Sequence, residues 1–227
     1  MHYALHTGPQ SSHQQIARLV RRIGRVPVLD VGAAQGFLGR MLQQDGMIID
    51  AVEPHPLWAA HARPHYRTVY ESDIELVELP ARYYSIVVCA DVLEHTAEPV
   101  QVLHKLSLAA TPDATFIISV PNVAHIAARL LLLVGRFPQM DRGIFDRTHL
   151  HFYTRHTAID LLHAADLEVI QVRPTPVPLE QIWPARLSIT MLKGLMAIQG
   201  LGLLLAPTLF GFQWIMVARA GGKRFNE

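Results

Sequence analysis

Val28-Leu-Asp-Val-Gly-Ala-Ala-Gln-Gly-Phe-Leu-Gly-Arg40, with Ile48-Ile-Asp-Ala-Val-Glu53 close behind it, decides how this 227-residue chain reads. An apolar run ends in Asp30, passes through a glycine turn into a helical stretch, and is followed by a second apolar run that ends in Glu53. Glycine at 32 and 36 lets the backbone turn sharply and brings main-chain atoms within reach of a ligand where a Cβ would collide. The acid closing the second run stands where a carboxylate accepts both hydroxyls of a ribose. The pattern predicts a nucleotide-type cofactor site at the ends of two adjacent strands.

On either side of this stretch, β and α patterns alternate. Strands are predicted at 26–31, 48–52, 67–70, 84–89, 115–120, 168–173 and 212–218, and helices at about 37–45, 56–63, 98–110 and 155–165. Ser11-Ser12 followed by Gln15 reads as a capping box opening a further helix that runs to about Arg22. Such alternation implies an α/β fold, a doubly wound, mostly parallel sheet covered by helices on both faces, with ligands beyond the carboxyl ends of the strands. The length suits a single domain spanning 1–227. Two segments exceed what the sheet needs, about 121–154 and 174–211, and they are expected to cover the substrate.

Composition narrows the partners. The formal net charge is +1 and the 20 lysines and arginines are spread along the chain, so no nucleic-acid footprint is expected. Cys89 stands alone inside an apolar strand, and the first residues lack a basic start with an apolar core, which together point to the cytoplasm. Gly194 to Ala218 is 25 residues without a charge. Pro207, two glutamines and several glycines interrupt it, so a buried helix and a final strand are favoured over a membrane span, with peripheral membrane contact as the alternative.

A dinucleotide fingerprint, Gly-x-Gly-x-x-Gly, would need glycine where this chain has Ala34 and Phe37, which weighs against an NAD-type oxidoreductase. Asp30-x-Gly32-x-Ala34-x-Gly36 instead resembles the first motif of class I S-adenosylmethionine (SAM) dependent methyltransferases, usually Asp/Glu-x-Gly-x-Gly-x-Gly. Glu53, followed by Pro54-His55-Pro56, resembles the ribose-binding acid of that family's second motif. Glu71-Ser-Asp-Ile-Glu75 resembles the third, in which Asp73 would meet the adenine amino group, and Tyr83 to His95 resembles the fourth strand with its Asp-Val-Leu-Glu-His ending. Val120-Pro-Asn-Val-Ala-His125, Gly135-Arg-Phe137 and Asp146-Arg-Thr-His-Leu-His-Phe-Tyr-Thr154 resemble a bacterial subgroup met among natural-product and surface-polysaccharide enzymes.

The resemblance implies a Rossmann-like seven-stranded sheet whose last strand, near Phe212, runs antiparallel. It implies SAM as cofactor, held by Asp30, Gly32, Ala34, Gly36, Glu53, Asp73, Asp91 and Leu93, and methyl transfer as the activity, without identifying a substrate. The apolar 126–134 and 187–206 segments suggest a hydrophobic pocket, so a small-molecule or lipid-like acceptor, methylated at oxygen, is expected. Methyl transfer from a sulfonium asks the protein for position, desolvation and a base. His149 is the first candidate base, with His125 and His95 as alternatives, while Arg147 pairs with Asp141 or Asp146 or binds an acidic acceptor. Asp146-x-x-His149-x-His151 invites a metal reading, but no further ligand cluster accompanies it in sequence and no metal is expected. The remaining alternative is a SAM-binding module without catalysis that docks to a membrane or partner through the C-terminal apolar segment.

Overall fold

The computed structural model describes residues 11–184 and 188–221. Ser11 caps the first helix, α1 (Ser12–Ile23), by accepting from the Gln14 amide, and Gly24 closes it. There follow β1 (Val28–Val31), α2 (Phe37–Leu42), β2 (Ile49–Val52), α3 (Pro56–Ala62), β3 (Thr68–Tyr70), β4 (Tyr84–Ala90), α4 (Pro99–Ala109), β5 (Ala110–Pro121) and α5 (Ile126–Leu133). The chain continues through α6 (Arg155–Ala164), β6 (Leu167–Thr175), α7 (Leu179–Ile182), α8 (Ile189–Leu205), α9 (Pro207–Phe210) and β7 (Gln213–Ala220).

The seven strands form one sheet in the order β3-β2-β1-β4-β5-β7-β6. All neighbouring pairs from β3 to β5 are parallel, and β7 lies antiparallel between β5 and β6. Strands buried on both faces explain the continuous apolar runs of the sequence. Leu29, Val87, Phe116 and Ile118 face α4 and α6, meeting Leu103, Leu106 and Leu162. Val28, Ile86, Ile117 and Ile215 face the other way, onto Ile16, Val20, Leu38 and Leu42 of α1 and α2. Each such side chain, fully removed from water, contributes about 1.5–3 kcal/mol. The order reverses between β1 and β4, which places the ligand crevice of this fold type beyond their carboxyl ends.

Three local features differ from the sequence expectation. β5 begins at Ala110, because α4 runs straight into it and Ala110 pairs with Tyr84 before a register shift; backbone pairing, which side-chain periodicity does not reveal, extends it. At α1 Ser11 accepts from the Gln14 amide rather than forming a box with Gln15, and among the described residues a capping box is found at α6, where Thr154 and Thr157 exchange side-chain and backbone hydrogen bonds.

The expected buried helix in the 174–211 segment is corrected. α8 is apolar on every side, yet Ile189, Ile198, Leu201, Leu204 and Leu205 are exposed, and among its described residues only Gly202 is buried. It packs on α7 and α9 and reaches Val177 through Gln199, so it lies outside the layers that cover the sheet. Among the described residues no helix is long and apolar enough to cross a membrane.

Candidate functional site

At the end of β1 the chain turns through Gly32 (φ 72°), Ala34 (φ 47°) and Gly36 (φ 79°), all left-handed. A Cβ at Gly32 would stand 2.5 Å from Cγ2 of Val92, and one at Gly36 would stand 2.9 Å from Cα of Ala62. The turn is thus wedged between the β4 end and α3, and only glycine fits at these two points. Ala34 sits where the related motif has glycine and holds a strained conformation, anchored by its amide, which donates to Oε2 of Glu53 at 2.7 Å. Ala34→Gly is expected to raise stability by about 1 kcal/mol and to leave cofactor affinity unchanged. A lower melting temperature would show that the methyl group packs favourably despite its backbone.

Glu53 follows β2 and its carboxylate accepts from both the Ala34 and His55 amides, at 2.7 and 2.9 Å. A carboxylate has about four acceptor positions, so two hydrogen bonds leave room for ligand hydroxyls. Burial raises its pKa, against the pull of those two amides. Asp30, inside β1, is 4% exposed and accepts from the Tyr66 hydroxyl, which itself accepts from the Gly39 amide at 2.9 Å. Burial pushes the Asp30 carboxyl up to about 7, the Tyr66 hydroxyl pulls it down, and the Glu53 charge adds to the rise.

Among the described residues neither Asp30 nor Glu53 forms an ion pair with arginine or lysine. Two neighbouring carboxyls without an arginine or lysine partner among the described residues, Glu53 having only the His55 imidazole near it, suit a ligand that brings a cation and hydroxyl donors, as the adenosyl sulfonium does. The residues present therefore fit SAM.

The remaining predicted cofactor residues are spread over two strand ends. Asp73, exposed after β3, accepts from the Glu75 amide with Oδ1. Asp91 ends β4 in a left-handed conformation, with Oδ1 accepting from Ser119 at 2.8 Å and Oδ2 from Gln213 at 2.6 Å. Leu93 is fully enclosed in the core beside Val102 and Leu103, so it supports the β4 turn from beneath.

The three candidate bases part company. His125 caps α5, with Nδ1 accepting from the Ala127 amide, so its accepting nitrogen is committed. His149 and His95 come together with Glu94, which follows β4 in a single 3-10 turn. Nε2 of His149 lies 4.0 Å from Oε1 of Glu94, both side chains being almost completely buried, and the rings of His95 and His149 are 4.7 Å apart. Burial, assisted by His95, lowers the His149 pKa, against the opposing pull of the Asp146 charge and the Ile144 backbone. Burial, then the charge of Asp91, raises that of Glu94.

His151 turns away toward the Ala97 carbonyl and stacks on Tyr153, so the two histidines of the 149–151 segment do not share a face. Arg147 pairs with Asp141 at 2.5 Å. Tyr66 escaped the sequence reading, because a lone tyrosine in a polar stretch carries no local signal of the buried acid it will meet.

A family profile described as a methyltransferase domain matches residues 9–172. Ubiquinone biosynthesis O-methyltransferase of Leptothrix cholodnii is 26% identical over 171 residues, covering 67% of this chain and 72% of that protein. The corresponding protein of Haemophilus ducreyi is 28% identical over 119 residues, 48% of this chain, and the chain thus spans about half the length of that relative. Among solved structures, magnesium protoporphyrin IX methyltransferase from Synechocystis PCC 6803 with bound S-adenosylhomocysteine has a TM-score of 0.63 at 16% identity, over 92% of this chain and 82% of that one. A SAM-dependent methyltransferase from Archaeoglobus fulgidus has a TM-score of 0.60 at 16% identity, over 91% and 94%.

Proposed function

The chain belongs to the methyltransferase-domain family and uses S-adenosylmethionine, and from that premise we propose that it moves the sulfonium methyl to an oxygen of a small-molecule or lipid-like acceptor. When bound, SAM supplies an electrophilic methyl and a thioether leaving group that needs no proton. In this reading Glu53 takes the ribose hydroxyls, Asp30 offsets the positive charge, Asp73 serves the adenine side and Asp91 the amino-acid side. The acceptor oxygen must lose its proton as its lone pair attacks carbon, the C–S pair passing to sulfur.

One observation carries the choice of oxygen: a buried carboxyl and two imidazoles, Glu94, His95 and His149, gathered at the carboxyl end of β4 next to the cofactor strand. Such a cluster is suited to the site where a hydroxyl gives up its proton. The relatives named as O-methyltransferases support the same atom. The lipid-like side of the acceptor class is supported by Leu130 and Leu133 of α5 and Ile198 and Leu204 of α8, apolar side chains left exposed on the two inserted segments.

The test is incubation with methyl-labelled SAM and a series of phenols, vicinal diphenols and aliphatic alcohols, followed by mass spectrometry of the products. A methyl ether is expected; labelled SAM bound without transfer to any acceptor would overturn the proposal and favour a binding module. His149→Ala is expected to lower turnover by roughly 10²–10⁴ with SAM affinity unchanged. Because burial depresses the His149 pKa, the imidazole stays neutral below its ordinary 6.5, and turnover should fall only when the pH drops further.

A further inference from the structure

We propose that Glu94, His95 and His149 bind a divalent transition-metal cation. The sequence hides this grouping, because Glu94 and His95 follow β4 whereas His149 lies in the segment between β5 and α6. One ligand atom from each of the three falls within 4.8 Å of the others. Metal–donor bonds of about 2.0–2.2 Å put neighbouring donors about 3–3.5 Å apart, so shifts of roughly an ångström bring all three onto one ion.

The carboxylate is what asks for a cation. Both oxygens of Glu94 are buried and neither has a hydrogen-bond partner among the described residues. Leaving a buried carboxyl without donors is costly, and a natural fold keeps such a group when something outside the protein chain satisfies it. His149 does not do so on its own. Its nitrogen stands 4.0 Å away, beyond hydrogen-bonding distance.

The His95 imidazole is also held from behind, the arrangement that fixes a metal-ligating histidine. Nδ1 of His95 faces the Thr148 carbonyl at 3.2 Å, which leaves Nε2 as the donor atom. Nε2 of His149 faces Glu94, and its ring is fixed edge-on between those of His95 and Phe152. Thr148 is itself fixed by Asp146, which accepts from its hydroxyl at 2.6 Å and from its amide at 2.9 Å. The Asp146-Arg-Thr-His149 stretch thus supplies one ligand and the support of another.

Two imidazoles and one carboxylate suit zinc, iron, manganese or cobalt better than magnesium or calcium, which favour oxygen-only sites. Three protein ligands leave coordination positions open. The role that follows rests on the O-methyl transfer proposed above: the ion would hold the acceptor hydroxyl and lower its pKa, so that its proton is lost to solvent as the oxygen is positioned. The site itself does not depend on that reading, and it is tested without acceptor.

The full chain, stripped with a chelator, is titrated with Co²⁺ and followed by calorimetry and by visible absorption. One equivalent with a d–d spectrum is expected. Glu94→Gln and His95→Ala should each weaken binding by roughly a hundredfold, more than the loss of an outer-shell partner, whereas His151→Ala should bind as the unaltered protein does. His95 is exposed, so its variant serves if the buried Glu94 substitution does not fold. Absence of a d–d spectrum, or equal affinity in the His95→Ala and His151→Ala proteins, overturns the cation site even if methyl transfer is intact. Co²⁺ binding in a protein that methylates no alcohol or phenol would retain the site and overturn the O-methyl transfer.

Discussion

Asp30→Asn is expected to make the protein more stable at pH 8 and, in the same variant, to weaken SAM binding by tenfold or more. The carboxyl lies buried in β1 and titrates at about 7 in the fold, against an ordinary 3.8. A carboxyl whose pKa is raised by folding favours the native state while it is protonated. Its contribution is complete below about 4 and is lost as the pH climbs through 7. The difference corresponds to roughly 4 kcal/mol at about 1.4 kcal/mol per pH unit. Asparagine still accepts from the Tyr66 hydroxyl but carries no charge, so denaturant unfolding of the variant should lack this decline between pH 4 and 7. A cationic ligand reverses the balance, since it stabilises the ionised carboxylate, and SAM should bind the unaltered protein more tightly at pH 8 than at pH 5.5. If the asparagine variant gains no stability at pH 8, Asp30 is not the strained charge described here. If its SAM affinity is unchanged, the charge is not there for the cofactor.

Glu53→Ala is the second large effect, and it acts on the cofactor from the other strand. Its carboxylate fixes the Ala34 and His55 amides, so truncation removes the oxygens proposed to take the ribose hydroxyls and also frees the glycine turn that lies against Val92. The expected loss of SAM affinity is at least tenfold, about 1.4 kcal/mol. Glu53→Gln separates the two contributions, because the amide oxygen can still accept from one backbone N–H while its NH₂ group cannot accept at all. Calorimetry should place glutamine between glutamate and alanine. Equal affinity in all three proteins would remove Glu53 from the cofactor site.

Much of this was legible in the chain itself. The runs ending at Asp30 and Glu53, the turn between Gly32 and Gly36, and the strand ending at Asp91 announced themselves by apolar periodicity and turn chemistry, and each stands where it was expected. His125 was legible only as a histidine near the right strand end; that it caps α5 depends on how the helix leaves Asn122. Glu94 and His149 could not be joined by inspection, because their meeting is set by the loop that carries the Glu94 carbonyl onto the Leu150 and His151 amides. α8 misled for a related reason. Its composition promises burial, and only its placement against α7 and α9 shows that most of its apolar side chains stay exposed.

The order of elements, the doubly wound class and the glycine turn after β1 were determined by sequence, because helix period, strand alternation and the freedom of glycine are properties of neighbouring residues. The tertiary structure alone decided that Tyr66 holds Asp30, that the charge of Glu53 reaches it, and that an acid and two histidines from distant segments come together around the buried Glu94 carboxyl. Pairing and desolvation are set by whatever the fold brings near a group, and the strength of a charge depends on how much water the surrounding chain excludes.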